Sequence, residues 1–266
     1  MFTTTIFKAI TTGQPGAIQL RVIAMALHLF GTVIVAVLTF ALIRFLWYPG
    51  FYWAIAGGGE LFFLVCAVDA VLGPVLTFSI FNPSKGIGRL RFDLIVIVTL
   101  QLIALLYGLS TVASVRPLYL VYSVDRFNLV TAYELSAKDL RSAELPQFKA
   151  VSWTGPKIIG TREPRHGDER FEFIDSALSG RDRHLLPKTY VPFEQVASLL
   201  IEHARPLDSL KTVTSKHADL VGSVQTRLAT SHPKLGFVPV IGQGDWVMVV
   251  DRVTGEQLDV LPIDGL

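Results

Sequence analysis

Few residues in this chain have the types and spacing that aqueous chemistry needs. Asp168 near His166 and Asp182 near His184 could be read as acid/base or metal-ligating pairs. Each stands in a loop dense in Arg and Glu, so solvated charge is the expectation. No GxSxG, P-loop or HExxH motif occurs, and the six histidines are scattered. Cys66 is the only cysteine and lies in an apolar stretch, which excludes a disulfide and a thiolate metal site from the polar part of the chain. The expectation is therefore no catalytic residue, no metal and no cofactor, and the absence of any basic run argues against nucleic acid.

Two other places are chemically distinctive. The segment VCAVDAVLGPVLTFSIFNPSKG (65–86) carries Asp69 and then Pro74 within an otherwise apolar run. Further on, VYSVDRFNLV sets the charged pair Asp125-Arg126 among apolar residues, where the two must pair locally or face a partner; local pairing is favoured.

What positions Asp69 follows from composition. The chain has 266 residues, 51% hydrophobic and 17% charged, with mean hydropathy +0.48, on the membrane side of ordinary soluble values. The charge is unevenly divided: residues 1–115 hold only Glu60, Asp69 and Asp93 of the 22 acids, and 6 of the 24 Lys and Arg. This places a membrane domain at 1–115 and an exported α+β domain at 116–266, the latter large enough for one core. No signal-peptide profile is expected, because the first apolar stretch follows Arg21, is too long for an h-region and leads into Trp-Tyr-Pro.

Three apolar spans are expected at about 22–43, 61–81 and 94–112, each near the ~20 residues that cross a bilayer. The turn NPSKGIGRLR carries Lys85, Arg89 and Arg91, which the positive-inside rule puts in the cytoplasm. Lys8 and Arg21 agree with a cytoplasmic N-terminus, Arg44 dissents, and the C-terminal domain is then periplasmic. The three cations of the turn can also meet anionic lipid head groups. The opposite connection, WYPGFYWAIAGGGE, reads as an aromatic belt at the interface.

Within the spans, Cys66, Asp69, Gly73 and Thr77 fall on one helical face, small and polar enough to pack a neighbouring helix. Similar rows are Ala24, His28, Gly31, Val35 and Ile97, Gln101, Ala104, Gly108. At about 1.5 Å per residue, His28 lies roughly 9 Å, Asp69 roughly 18 Å and Gln101 roughly 14 Å from the cytoplasmic ends, so Asp69 and Gln101 are expected to meet. Pro74 should kink its span near Ala70. Asp69 has two open readings, a proton-relay or partner-binding carboxylate and a hydrogen-bonded packing residue. His28 is read as a packing residue. Asp69, Gly73, Pro74, Thr77, Gln101, Asp125 and Arg126 are thus the candidate helix-docking or partner-binding positions.

In the C-terminal domain, residues 118–124 read as a strand apolar on both faces, to be covered on both sides. Ser136 with Asp139 forms a capping box before a short helix. FKAVSW (148–153) is a further strand candidate, Phe193–Ala204 a helix, and Trp246–Val250 with Gln257–Leu261 an antiparallel hairpin. The fold class is three transmembrane helices followed by a small α+β domain whose sheet is expected to be antiparallel.

The ordered set LGP (72–74), IFNP (80–83), LRFDL (90–94), Gln101, LLYG (105–108), RPLYLVYSVDRF (116–127) and VVDRVTGE resembles the type IV pilin accessory proteins of the TfpX/TfpZ family. The resemblance implies a non-enzymatic protein of the bacterial inner membrane, with the major type IV pilin as partner and a role in pilin stability, pilus assembly or the balance of extension and retraction. It implies no catalytic residues. A membrane sensor is a competing reading that lacks a cytoplasmic output domain, and a membrane enzyme or transporter lacks the usual further spans and paired intramembrane polar sites.

Overall fold

A computed structural model describes residues 16–82, 85–165, 167–212 and 215–265. His166 of the first acid/base pair, Lys8 and part of the cationic turn lie outside the described residues. The chain divides into two compact units: residues 1–43 with 59–112, and residues 44–58 with 113–266.

The helical unit is built from α1 (Ala17–Ala41), α3 (Gly58–Ile80) and α4 (Ile87–Val115). With the continuation of α1 to Trp47, three helices are long and apolar enough to cross a membrane. All begin earlier than the apolar runs suggested, because a helix carries on through flanking residues that the hydropathy window excludes. α3 is continuous through Pro74, whose missing N–H leaves the Ala70 carbonyl without its usual helical donor. The exposed faces are Leu, Val, Ile and Phe, among them Phe30, Leu38, Phe63, Leu72 and Leu106, as lipid-facing helices require. Lys85 pairs with Asp93 at 2.6 Å across the start of α4.

After Ala41 the helix winds as a π-helix over Leu42–Trp47, then gives a short α2 (Tyr52–Ile55). Several residues of the segment expected as an aromatic belt are buried in protein. Trp47, Tyr48, Tyr52 and Ile55 are 7%, 0%, 7% and 0% exposed, and Tyr52 and Ile55 pack with Leu120, Tyr122, Phe127, Val238 and Met248 in one core of the sheet unit. Residues 44–58 accordingly belong to the sheet unit, although in sequence they stand between two spans.

The sheet unit holds β1 (Pro117–Ser123), β2 (Arg126–Thr131), α5 (Ala137–Arg141), β3 (Lys157–Thr161), α6 (Asp168–Leu178), β4 (Tyr190–Pro192), α7 (Ala197–His203), β5 (Arg205–Pro206), α8 (Ser215–Leu228), β6 (Leu235–Gly242), β7 (Gly244–Asp251) and β8 (Gln257–Leu261). Among the described residues the strands form one eight-stranded sheet of order β4-β3-β1-β2-β6-β7-β8, with β5 against β6. It is mixed rather than antiparallel: β1 pairs β3 and β2 pairs β6 in parallel. The sheet is also larger than expected, because β6 has no alternating pattern to announce it. Leu120 and Tyr122 of β1 enter one core, and Tyr119 and Val121 the other. That is the two-sided cover its sequence demanded.

The capping box is present, with Asp139 N–H donating to Ser136 Oγ at 3.2 Å and Ser136 N–H to Asp139 Oδ2 at 2.9 Å. The C-terminal hairpin β7–β8 is present and antiparallel. Residues 148–153 are not a strand: Phe148 ends a short 3-10 turn at Pro146–Phe148 and the chain then runs as bends, so the next strand waits until Lys157. Pro146 at the start of the turn fixes φ for that geometry.

Candidate functional site

The polar residues of the helical unit converge on His28. Its Nε2 lies 2.7 Å from Gln101 Oε1, and its Nδ1 lies 2.8 Å from the Thr77 hydroxyl. One ring nitrogen therefore donates and the other accepts, joining all three helices through one imidazole. Gln101 uses its other end as well, donating from Nε2 to the main-chain carbonyl of Asp69 at 3.3 Å. In hydrocarbon such bonds replace water that is absent, so they set which helix faces meet.

Gly73 makes the approach possible. A Cβ built there would lie 2.0 Å from Gln101 Nε2 and 2.8 Å from His28 Nε2, so any side chain would push the imidazole-amide bridge apart. Gly73 and Pro74 are buried, and Thr77 is 1% exposed. Gly108 lies against Val65 of α3, whose Cγ1 would stand 3.0 Å from a Cβ built there, closer than ordinary contact.

Gln101 thus meets Asp69 at its backbone, not at its carboxylate. His28, estimated to lie shallow, is the hub, because α1 starts at Ala17 and puts it roughly 16 Å into the helix rather than 9 Å. The packed row of α1 is His28, Thr32, Ala36 and Thr39, while Gly31 and Val35 stay open. Sequence spacing identified the faces of α3 but missed this shift on α1.

Between the helices lies a cleft of about 300 Å³. Thr32, Val35 and Ala36 line it from α1, Cys66 and Asp69 from α3, and Gln101 and Leu105 from α4. Among the described residues the Asp69 carboxylate makes no hydrogen bond or ion pair.

Asp125 and Arg126 sit elsewhere, at the β1–β2 hairpin. Arg126 Nε donates to Asp125 Oδ1 at 2.9 Å, so the pair is satisfied locally, and this hydrogen bond holds the Asp125 carboxyl below its ordinary range. The turn residue Val124 has φ of +63°, a left-handed conformation that a β-branched residue adopts under strain. At the turn end of the hairpin the Tyr122 hydroxyl meets His203 Nδ1 at 2.9 Å. Among the described residues no hydrogen bond joins Asp182 to His184: the His184 carbonyl accepts from the Tyr190 hydroxyl at 2.5 Å, and burial lowers the His184 pKa.

No family model and no solved structure matches the chain. It is similar to fimbrial assembly proteins of Dichelobacter nodosus. The serogroup C1 and C2 protein is 36% identical over 121 residues, 46% of this chain and 88% of that protein. The chain belongs to the fimbrial assembly protein family. The serogroup I protein of the same organism is 29% identical over 231 residues, 85% of this chain and 89% of the relative. The serogroup E1 protein is 27% identical over 229 residues with the same coverage. Alignments of that length exceed either unit of this chain, so the kinship of the family takes in both the helical unit and the sheet unit.

Proposed function

We propose that this protein is a non-enzymatic accessory factor of type IV pilus biogenesis, of the kind the TfpX/TfpZ resemblance implies, resident in the bacterial inner membrane with its sheet unit in the periplasm. Its partner is the major pilin, whose stability, assembly or extension and retraction it supports. The observation that carries the reading is the similarity to fimbrial assembly proteins through both units. The architecture supports it: a helical unit with a polar face can hold a partner's membrane helix, and a sheet unit can stay near the partner's soluble part. The polar groups His28, Thr77 and Gln101 are engaged in joining helices, which suits a docking scaffold.

Photo-crosslinking from residues of the cleft in native membranes, with recovered proteins identified, tests this. Recovery of the pilin together with loss of piliation in a deletion strain is the expected result. A deletion strain with normal pili and no pilin adduct overturns the reading.

A further inference from the structure

We infer that the cleft of the helical unit receives one membrane-spanning helix of a partner, and that it selects a helix carrying a cation or hydrogen-bond donor at the depth of Asp69. The inference deepens the docking role proposed above and rests on it for the identity of the partner, though not for the chemistry of the site.

The argument starts from polar accounting inside hydrocarbon. His28, Thr77 and Gln101 satisfy one another, and Gln101 also takes the main-chain carbonyl of Asp69. That leaves the Asp69 carboxylate lining the cleft with no partner among the described residues. An unpaired carboxyl at mid-span is costly, and such groups pair with a donor or a cation wherever one is within reach. Among the described residues no cation of the helical unit pairs with it: Lys85 is bound to Asp93 near the helix ends, and no hydrogen bond joins Asp69 to the Thr32, Thr39 or Cys66 side chains of the lining.

The remainder of the lining states the shape of the occupant. Val35, Ala36, Val98, Leu102 and Leu105 give an apolar wall, and Gly31 leaves open space on α1. The lining residues of α1 run from Leu27 to Thr39, roughly 18 Å of helix, so the groove is elongated along the spans. A volume of about 300 Å³ holds a row of side chains from one helix ridge rather than a whole helix. The neighbouring small residues let backbones approach closely. A lipid chain would fill the apolar wall but leave Asp69 unpaired, so charge complementarity favours a helix with a donor.

The test uses the full chain reconstituted in phosphatidylcholine vesicles with Leu-rich spanning peptides, free of Trp and dansyl-labelled at one end. The peptides carry Lys, Asn or Leu at the central position. Energy transfer from the chain's tryptophans reports binding. The Lys and Asn peptides should bind at least about fivefold tighter than the Leu peptide, matching the worth of an intramembrane hydrogen bond. Asp69→Leu should erase the difference, and Asp69→Asn should retain the Asn peptide while weakening the Lys peptide. Circular dichroism and protease resistance of each variant establish that it is folded. Equal binding of all three peptides, as a lipid-filled or non-selective groove gives, overturns the inference. So does a preference that persists in folded Asp69→Leu. Selective peptide binding without pilin adducts in native membranes would retain this site and reject the pilin as its partner.

Discussion

Gln243 donates its main-chain N–H to the carbonyl of Ile55 at 2.7 Å, fastening the connection between two spans to the β6–β7 turn. Gly242 beside it has no room for a side chain, since a Cβ would stand 2.6 Å from that same carbonyl. Gly57, at φ of +65°, turns the chain away immediately after the contact. Ile55 is fully buried, so Ile55→Ala should cost about 2–4 kcal/mol, and Gly242→Ala about 1–3 kcal/mol through overpacking against backbone. Thermal unfolding of the purified protein followed by near-ultraviolet circular dichroism measures both. An unchanged melting temperature in both variants would detach residues 44–58 from the core.

His28→Leu removes a donor and an acceptor at once, taking their partner from the buried Thr77 hydroxyl and from Gln101 Oε1. A loss of about 1–2 kcal/mol is expected in detergent unfolding experiments. Gly73→Ala should lose a similar amount by displacing Gln101. In a Gln101→Ala background most of that loss should disappear, because the obstructing amide is gone; additive losses would show that Gly73 acts elsewhere.

Val124 is exposed and holds a positive φ in the two-residue turn between β1 and β2. Asn tolerates this conformation better than a β-branched residue, so Val124→Asn should stabilise the sheet unit by about 0.5–1.5 kcal/mol in a denaturant titration. A destabilised variant would mean that the Val124 side chain has a role its exposure conceals.

Glu169 gives a pH dependence. Its hydrogen bonds from Arg162, at 2.7 and 3.1 Å, and from the Arg165 N–H hold its carboxyl down to about 2, below the ordinary 4.5. A depressed carboxyl contributes stability that is complete above its unfolded value and is lost as pH falls through its folded one. The sheet unit should therefore lose stability between about pH 4.5 and 2, and Glu169→Gln should flatten that part of the melting-temperature profile. Asp251, depressed by the His232 hydrogen bond and the Val253 N–H, adds to the acid loss and should remain after the Glu169 substitution.

Orientation is read out by fusion. A reporter joined after residue 130 should be active only in its periplasmic form, as the cations of the turn near Lys85 require. Activity of a cytoplasmic reporter at that site would invert the topology.

The sequence alone determined that three apolar helices precede a polar α+β unit, because hydropathy and charge segregation are local properties that survive without tertiary contacts. It also determined the Ser136–Asp139 cap, the two-sided burial of β1 and the β7–β8 hairpin, whose signals lie within a few residues of one another. The face of α3 with Asp69, Gly73 and Thr77 was legible for the same reason, since a 3.6-residue period fixes which side chains share a side.

Only the tertiary structure decided what those faces meet. That Gln101 meets His28 and the Asp69 main chain rather than the Asp69 carboxylate, and that this carboxylate is left facing a cleft, depends on the axial offset of α1 against its neighbours, which no single-helix pattern encodes. That Tyr52 and Ile55 complete the core of a sheet beginning more than sixty residues later in the chain depends on space left beside β6 and β7, which aromatic composition alone does not encode. The parallel pairings of β1 with β3 and β2 with β6 are likewise long-range: strand partners are chosen by which buried faces can be covered together, a competition settled across the whole chain rather than within any one segment of it.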